Sequence, residues 1–116
     1  MRALVIEPQV FTSLMVEDVL AEQGYTSIAV AATEEEAVAS ALAEPPDLVV
    51  AAVGLASGSG IDAVATITSR CNAQVLFTTQ DVSAVQARSP DAAIVAKPFR
   101  PEDLRAAVAE LDHSPK

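Results

Sequence analysis

The chain is poor in aromatic surface, in cysteine and in positive charge. It has no Trp, one Tyr and three Phe among 116 residues. That leaves no aromatic platform on which unpaired bases would stack. Seven Lys and Arg face sixteen Asp and Glu, for a net charge of −9. Proteins that grip phosphate backbones do so with clustered Lys and Arg, so no nucleic-acid partner is expected. The acidic excess reads as a solvated surface that keeps the chain in solution. Cys71 is the only cysteine. It permits no intrachain disulfide and no multi-cysteine metal site, and it suits a reducing, cytoplasmic compartment. It reads as a half-buried residue at a helix end rather than a reactive thiol. No apolar run approaches the ~20 residues of a membrane span, so no membrane partner is expected either. A strand begins within two residues of Met1, which speaks against a signal peptide.

What the chain does have is small aliphatic residues in short runs. Hydrophobic residues make up 51% of it, much of that Ala and Val. The length suits one domain with a real core. We expect that domain over residues 1–112, with 113–116 as a disordered tail.

Strand-like and helix-like stretches alternate. Ala3–Ile6 is a first strand. Val10, Leu14, Val16, Val19 and Leu20 then follow at three- and four-residue spacing, which predicts an amphipathic helix closed by Gly24. Ser27–Ala31 is a second strand. Thr33 caps the next helix, and Glu36 three residues on completes a capping-box pattern. Glu34 and Glu35 suit that helix's positive end. Its predicted buried face is Ala37, Val38, Ala41 and Leu42, and Pro45-Pro46 stops it. Asp47–Val53 is a nearly continuous apolar run, the mark of a strand covered on both faces. The loop Gly54–Gly60 leads into a helix over about 61–69. It lacks the Gly-Lys-Ser/Thr ending of a phosphate-binding P-loop. Gln74–Thr78 is a fourth strand, and a short helix follows over about 82–87. Ala92–Ala96 is a fifth strand. The last helix begins at Pro101 and carries Leu104, Ala107, Val108 and Leu111 on one face.

Strict strand–helix alternation predicts an α/β fold with a parallel sheet covered on both sides. Five units suit a single doubly wound, flavodoxin-like (βα)5 sheet in the order 2-1-3-4-5. Function in such sheets gathers at the carboxyl ends of the strands. The loops to inspect therefore follow Ile6, Ala51, Thr78 and Ala96.

Over about residues 2–111 the chain resembles the receiver domain of bacterial response regulators. The resemblance rests on Ala3-Leu4-Val5-Ile6-Glu7, Pro46–Ala52, Gly58–Val64, Val75-Leu76-Phe77-Thr78-Thr79 and Ala96-Lys97-Pro98-Phe99, in order and at matching spacing. It implies a site in which two acids after the first strand and an aspartate ending the third hold Mg²⁺. That aspartate accepts a phosphoryl group from a histidine kinase, and a hydroxyl residue and a lysine contact the phosphate. In this sequence Glu7 occupies the first acidic position, but Pro8 occupies the second and Ala52 the acceptor position. Thr79 stands at the hydroxyl position, with Thr78 as the alternative if the strand slips by one. Lys97 keeps the lysine position, and Ile94 replaces the aromatic switch residue.

A methyl group forms no acyl phosphate, and one carboxylate is a poor Mg²⁺ site. The expected molecule is therefore a stand-alone, degenerate receiver of two-component signalling, with no metal, no cofactor and no enzymatic activity. It would act by protein contact through about residues 82–111, with a histidine kinase, another regulator or a second copy (a homodimer) as partner. Lys97 is expected to pair with Glu7. The competing readings are a small-ligand or anion sensor that uses Thr79 and Lys97, and an engineered acceptor knockout. Pro8 and Ile94 argue against the last, since a designed knockout would leave both positions ordinary. Asp47, Asp62 and Asp81 are expected at solvated caps and turns, and His113 in the tail.

Overall fold

The computed structural model describes residues 1–113. Among the described residues five strands and five helices alternate. They are β1 (Arg2–Ile6), α1 (Val10–Glu22), β2 (Ser27–Ala31), α2 (Glu34–Ala43), β3 (Leu48–Ala52), α3 (Gly60–Thr68), β4 (Gln74–Thr79), α4 (Val82–Arg88), β5 (Ala93–Ala96) and α5 (Pro101–His113). The strands form one parallel sheet in the order β2-β1-β3-β4-β5. This is the flavodoxin-like order the alternation predicts.

Alternation along each strand divides the core in two. Leu4, Ile6, Val49, Ala51 and Phe77 face one side, with α2 and α3 packed over them. Ala3, Val5, Leu48, Val50 and Leu76 face the other, under α1 and α5. All of β3 is buried, as a strand covered on both faces must be. Asp47 ties the amino ends of the strands together. Its carboxylate accepts the Arg2 amide at 2.8 Å, and its carbonyl accepts the Gln74 amide at 2.9 Å.

Helix starts follow the local chemistry. The Thr33 hydroxyl accepts the Glu36 amide at 3.1 Å and caps α2. The reciprocal bond differs from the expected box: the Glu36 carboxylate accepts from the Ala32 amide, at 3.1 Å. Ser59 caps α3 and Asp81 caps α4. Thr33→Ala is expected to cost about 1 kcal/mol of unfolding free energy, read from the midpoint of a urea titration. Gly24 carries a φ of +99° just past α1, a backbone region that glycine enters without strain.

Three expectations need correction. Val10 and Leu14 do not belong to the buried face of α1; they are 67% and 50% exposed. The face that packs inward is Ser13, Val16, Val19 and Leu20. Leu42 of α2 is likewise exposed; Ala37 and Ala41 are the buried residues of the helix, and Val38 packs half-buried against the same core. His113 is the last residue of α5 rather than part of a tail. The rest of the expected tail, 114–116, lies outside the described residues. Among the described residues no helix is long and apolar enough to cross a membrane.

Candidate functional site

Burying a polar side chain is costly unless it is bonded, so buried polar residues mark places worth inspection. Among the described residues they are Glu7, Ser13, Thr78 and Thr79. Ser13 donates to the Val10 carbonyl within its own helix at 2.8 Å. The other three stand together at the carboxyl ends of β1 and β4.

Strand register explains the gathering. Ile6 lies beside Ala51, so Glu7 comes level with Ala52 at the tip of β3. Ala52 in turn lies beside Thr78, and Thr79 beside Ala96. Lys97 follows Ala96, and its amide donates to the Thr79 carbonyl at 2.8 Å. Four strand tips thus present Glu7, Ala52, Thr78, Thr79 and Lys97 at one edge. Both threonines belong to β4, and the strand runs one residue further than expected, to Thr79.

An ion pair joins the two ends of this set. Lys97 Nζ donates to Glu7 Oε1 at 2.8 Å. The Glu7 side chain is 4% exposed and that of Lys97 22%. The other carboxylate oxygen, Oε2, accepts the Gln9 amide at 3.1 Å. Both Glu7 oxygens therefore have partners within the chain. The Thr79 hydroxyl accepts the Asp81 amide at 2.9 Å, and the Asp81 carboxylate accepts the Ala84 amide at 3.1 Å.

A depression of about 380 Å³ opens beside the pair, lined by Gln9, Val53, Gly54, Thr79, Gln80 and Lys97 among others. Thr79 and Lys97 thus share a cavity. Ala52 is 2% exposed and does not line it, nor do Glu7 and Pro8. Ile94 lies elsewhere, on the shallow surface between β5 and α5. Gln9 is a site residue that pattern reading misses, because its contribution to Glu7 is a backbone amide that any residue but proline would supply.

The residues here do not fit a resident Mg²⁺. A hard divalent cation wants several oxygen ligands, carboxylates foremost. The buried carboxylate at this edge, Glu7, has an ammonium on one oxygen and an amide on the other, and Asp81 on the rim of the depression is engaged in capping α4. Among the described residues no group of three His, Cys, Asp or Glu is placed to hold a metal ion.

The loop behind the site is held from below. The Glu34 amide donates to the Ser57 carbonyl at 3.0 Å, and the Glu34 carboxylate accepts the Ser59 amide at 3.0 Å. The Ala56 amide donates to the Ala32 carbonyl at 3.1 Å. Glu34 is thus more than a favourable charge at a helix end. Of the expected solvated acids, Asp62 pairs with Arg88 at 2.9 Å, both exposed. Cys71 is half-buried, its Sγ 3.7 Å from the Ala41 carbonyl.

Known proteins share this fold. The solution structure of the PhyR response regulator REC domain from Erythrobacter litoralis superposes with a TM-score of 0.87 at 30% identity, covering 99% of this chain and 94% of that one. PhyR from Brucella abortus gives 0.83 at 29% identity, over 94% of this chain and 46% of that one. The anti-anti-sigma factor PhyR from Bartonella quintana gives 0.77 at 26%, over 94% and 46%. The chain thus spans about half the length of the latter two. No curated protein matches it by sequence. Residues 3–109 match the family described as the response regulator receiver domain. With the 2-1-3-4-5 sheet and the lysine and threonine at its carboxyl edge, this match makes the chain a member of the response regulator receiver domain family.

Proposed function

We propose that this receiver domain is degenerate and signals by binding proteins without being phosphorylated. The observation that carries the reading is Ala52. It closes β3 level with Glu7, where the family places its phosphoacceptor aspartate, and it offers no oxygen to attack phosphorus. The charge pattern supports the same reading. A working acceptor site collects several carboxylates and needs Mg²⁺ and lysine to offset them. Here one carboxylate and one ammonium offset each other at 2.8 Å.

That ion pair also weighs against an anion sensor. An anion entering the 380 Å³ depression would meet a lysine already neutralised by a buried carboxylate. To bind, it would have to displace Glu7 or tolerate it nearby.

Protein contact is the remaining use of the scaffold. The surface we assign to it is about residues 82–111, where β5 is an open sheet edge between α4 and α5. A shallow depression of about 370 Å³ there exposes parts of Ala93, Ile94, Ala107 and Leu111. A kinase, another regulator or a second copy would fit such a face. The Bartonella relative's description as an anti-anti-sigma factor favours a protein target over a small molecule.

Incubation with acetyl phosphate or a cognate histidine kinase tests the reading. The expected intact mass is unchanged, with no acid-labile phosphate on any carboxylate. Stoichiometric aspartyl phosphate would overturn it.

A further inference from the structure

Basic residues are absent from most of the first half of the chain. Between residues 3 and 69 there is no Lys, Arg or His, while ten of the sixteen acids lie there. The fold gathers much of this stretch at one edge, because β2 is an outermost strand and α1 and α2 flank it. Large exposed apolar side chains concentrate on the same edge. Phe11 is 88% exposed, and Val10, Leu14 and Val30 are exposed with it.

These four residues share one corner. Val10, Phe11 and Leu14 fall on the first turns of α1. Val30 pairs with Val5 in the register, and alternation puts it on the α1 side of the sheet. It lies near the carboxyl end of β2, the end at which α1 begins. Helical spacing extends the corner into charge. Glu17 and Asp18 follow Leu14 by three and four residues, on the same outer face of α1. Glu35 stands exposed in the first turn of α2, on the other layer of the sheet but at the same end of the β2 edge. No basic side chain of this stretch balances them.

We propose that this α1–β2 corner docks a polypeptide segment whose apolar anchors are flanked by Lys or Arg. The apolar residues would supply burial, and the acidic rim would supply orientation and steering. Charge complementarity selects this occupant. A second copy would bring the same acids face to face, and like charges across an interface cost affinity. An anionic membrane is repelled for the same reason. The corner is at the opposite edge of the sheet from β5, so the inference does not depend on residues 82–111 or on Ala52.

The probe is a designed amphipathic helix of leucine and lysine, with a leucine–glutamate counterpart. Affinity is read by calorimetry at physiological ionic strength, and the contact is mapped from amide shifts of the labelled chain. The lysine peptide is expected to shift amides over residues 10–36, and the glutamate peptide to shift none. F11S/L14S should weaken binding about tenfold while Tm stays well above the assay temperature, because Phe11 is 88% and Leu14 50% exposed. E17Q/D18Q should weaken it about fivefold. A65K/N72K changes net charge by the same amount on an exposed surface of α3 and the loop after it, and should have less than half that effect.

Equal losses from the two charge variants would reduce the effect to net charge and overturn the proposal. So would shifts confined to 82–111, full affinity in F11S/L14S, or a dimer in sedimentation that F11S/L14S dissociates. None of these outcomes bears on phosphorylation, so failure here is distinct from failure of the degenerate-receiver reading.

Discussion

Replacing Gly60 with alanine is expected to destabilise the domain by about 3 kcal/mol. A Cβ at this position would stand 1.7 Å from the Ala52 carbonyl oxygen and 3.2 Å from the Val53 Cα. Real Cβ atoms essentially never approach below 3.0 Å, so something must move by more than 1 Å. The obstacle is backbone, and no rotamer change relieves it. The shift would also pull on the bond from the Gly60 amide to the Val53 carbonyl, now 2.9 Å. Alanine's better helix propensity returns only about 1 kcal/mol. Gly54→Ala is the control, since nothing lies within 4 Å of a Cβ there and its φ is not positive. Urea denaturation of the two variants should show a large fall in midpoint for the first and little change for the second. Equal midpoints would mean that α3 does not press against the tip of β3 as described.

Lys97→Ala is expected to cost about 2–3 kcal/mol, more than Glu7→Gln. The asymmetry comes from burial. Without Lys97, a carboxylate that is 4% exposed keeps only the Gln9 amide as partner. Without the Glu7 charge, an ammonium that is 22% exposed still reaches water. That partial exposure is also why the Lys97 cost stays at the lower end of what breaking a buried pair brings. Replacing both by apolar residues of similar size, Glu7→Leu with Lys97→Met, should recover most of the loss, because the desolvation of both charges vanishes together. A double-mutant cycle on unfolding free energies reads the coupling directly. A coupling near zero would show that the two residues do not depend on each other.

Much of the fold is legible in the sequence, because its signals are local. The apolar run Leu48–Ala52 can only be a strand covered on both faces, and it is. Thr33 and Asp81 start helices because a side-chain oxygen one step before a helix meets free amides. Thr79 and Lys97 meet because strand tips in a parallel sheet share an edge.

What escaped is not local. The period of α1 treats every apolar residue as an inward one, and so it places Val10 and Leu14, which solvent reaches, on the buried face. Spacing alone does not say which stripe turns inward: the buried face is Ser13, Val16, Val19 and Leu20, and Leu14, one residue on from Ser13, points away from it. Gln9 acts through an amide, and an amide leaves no mark in the side-chain pattern. Glu34 reads as a charge at a helix end, yet its carboxylate holds the Ser59 amide 25 residues away. The charge segregation was in plain sight, but a net figure of −9 conceals where the few positive charges are.

The stretch Ala56–Ser59 has the make-up of a slack tether, with glycine and serine predominating. Its attachment to Ala32, Thr33 and Glu34 turns it into a short ledge that prolongs the sheet beyond its strand tips. A ledge formed when the chain folds has already lost its conformational freedom. A visitor settling on that rim would find a fixed footing and would not have to spend part of its own adhesion on arranging one.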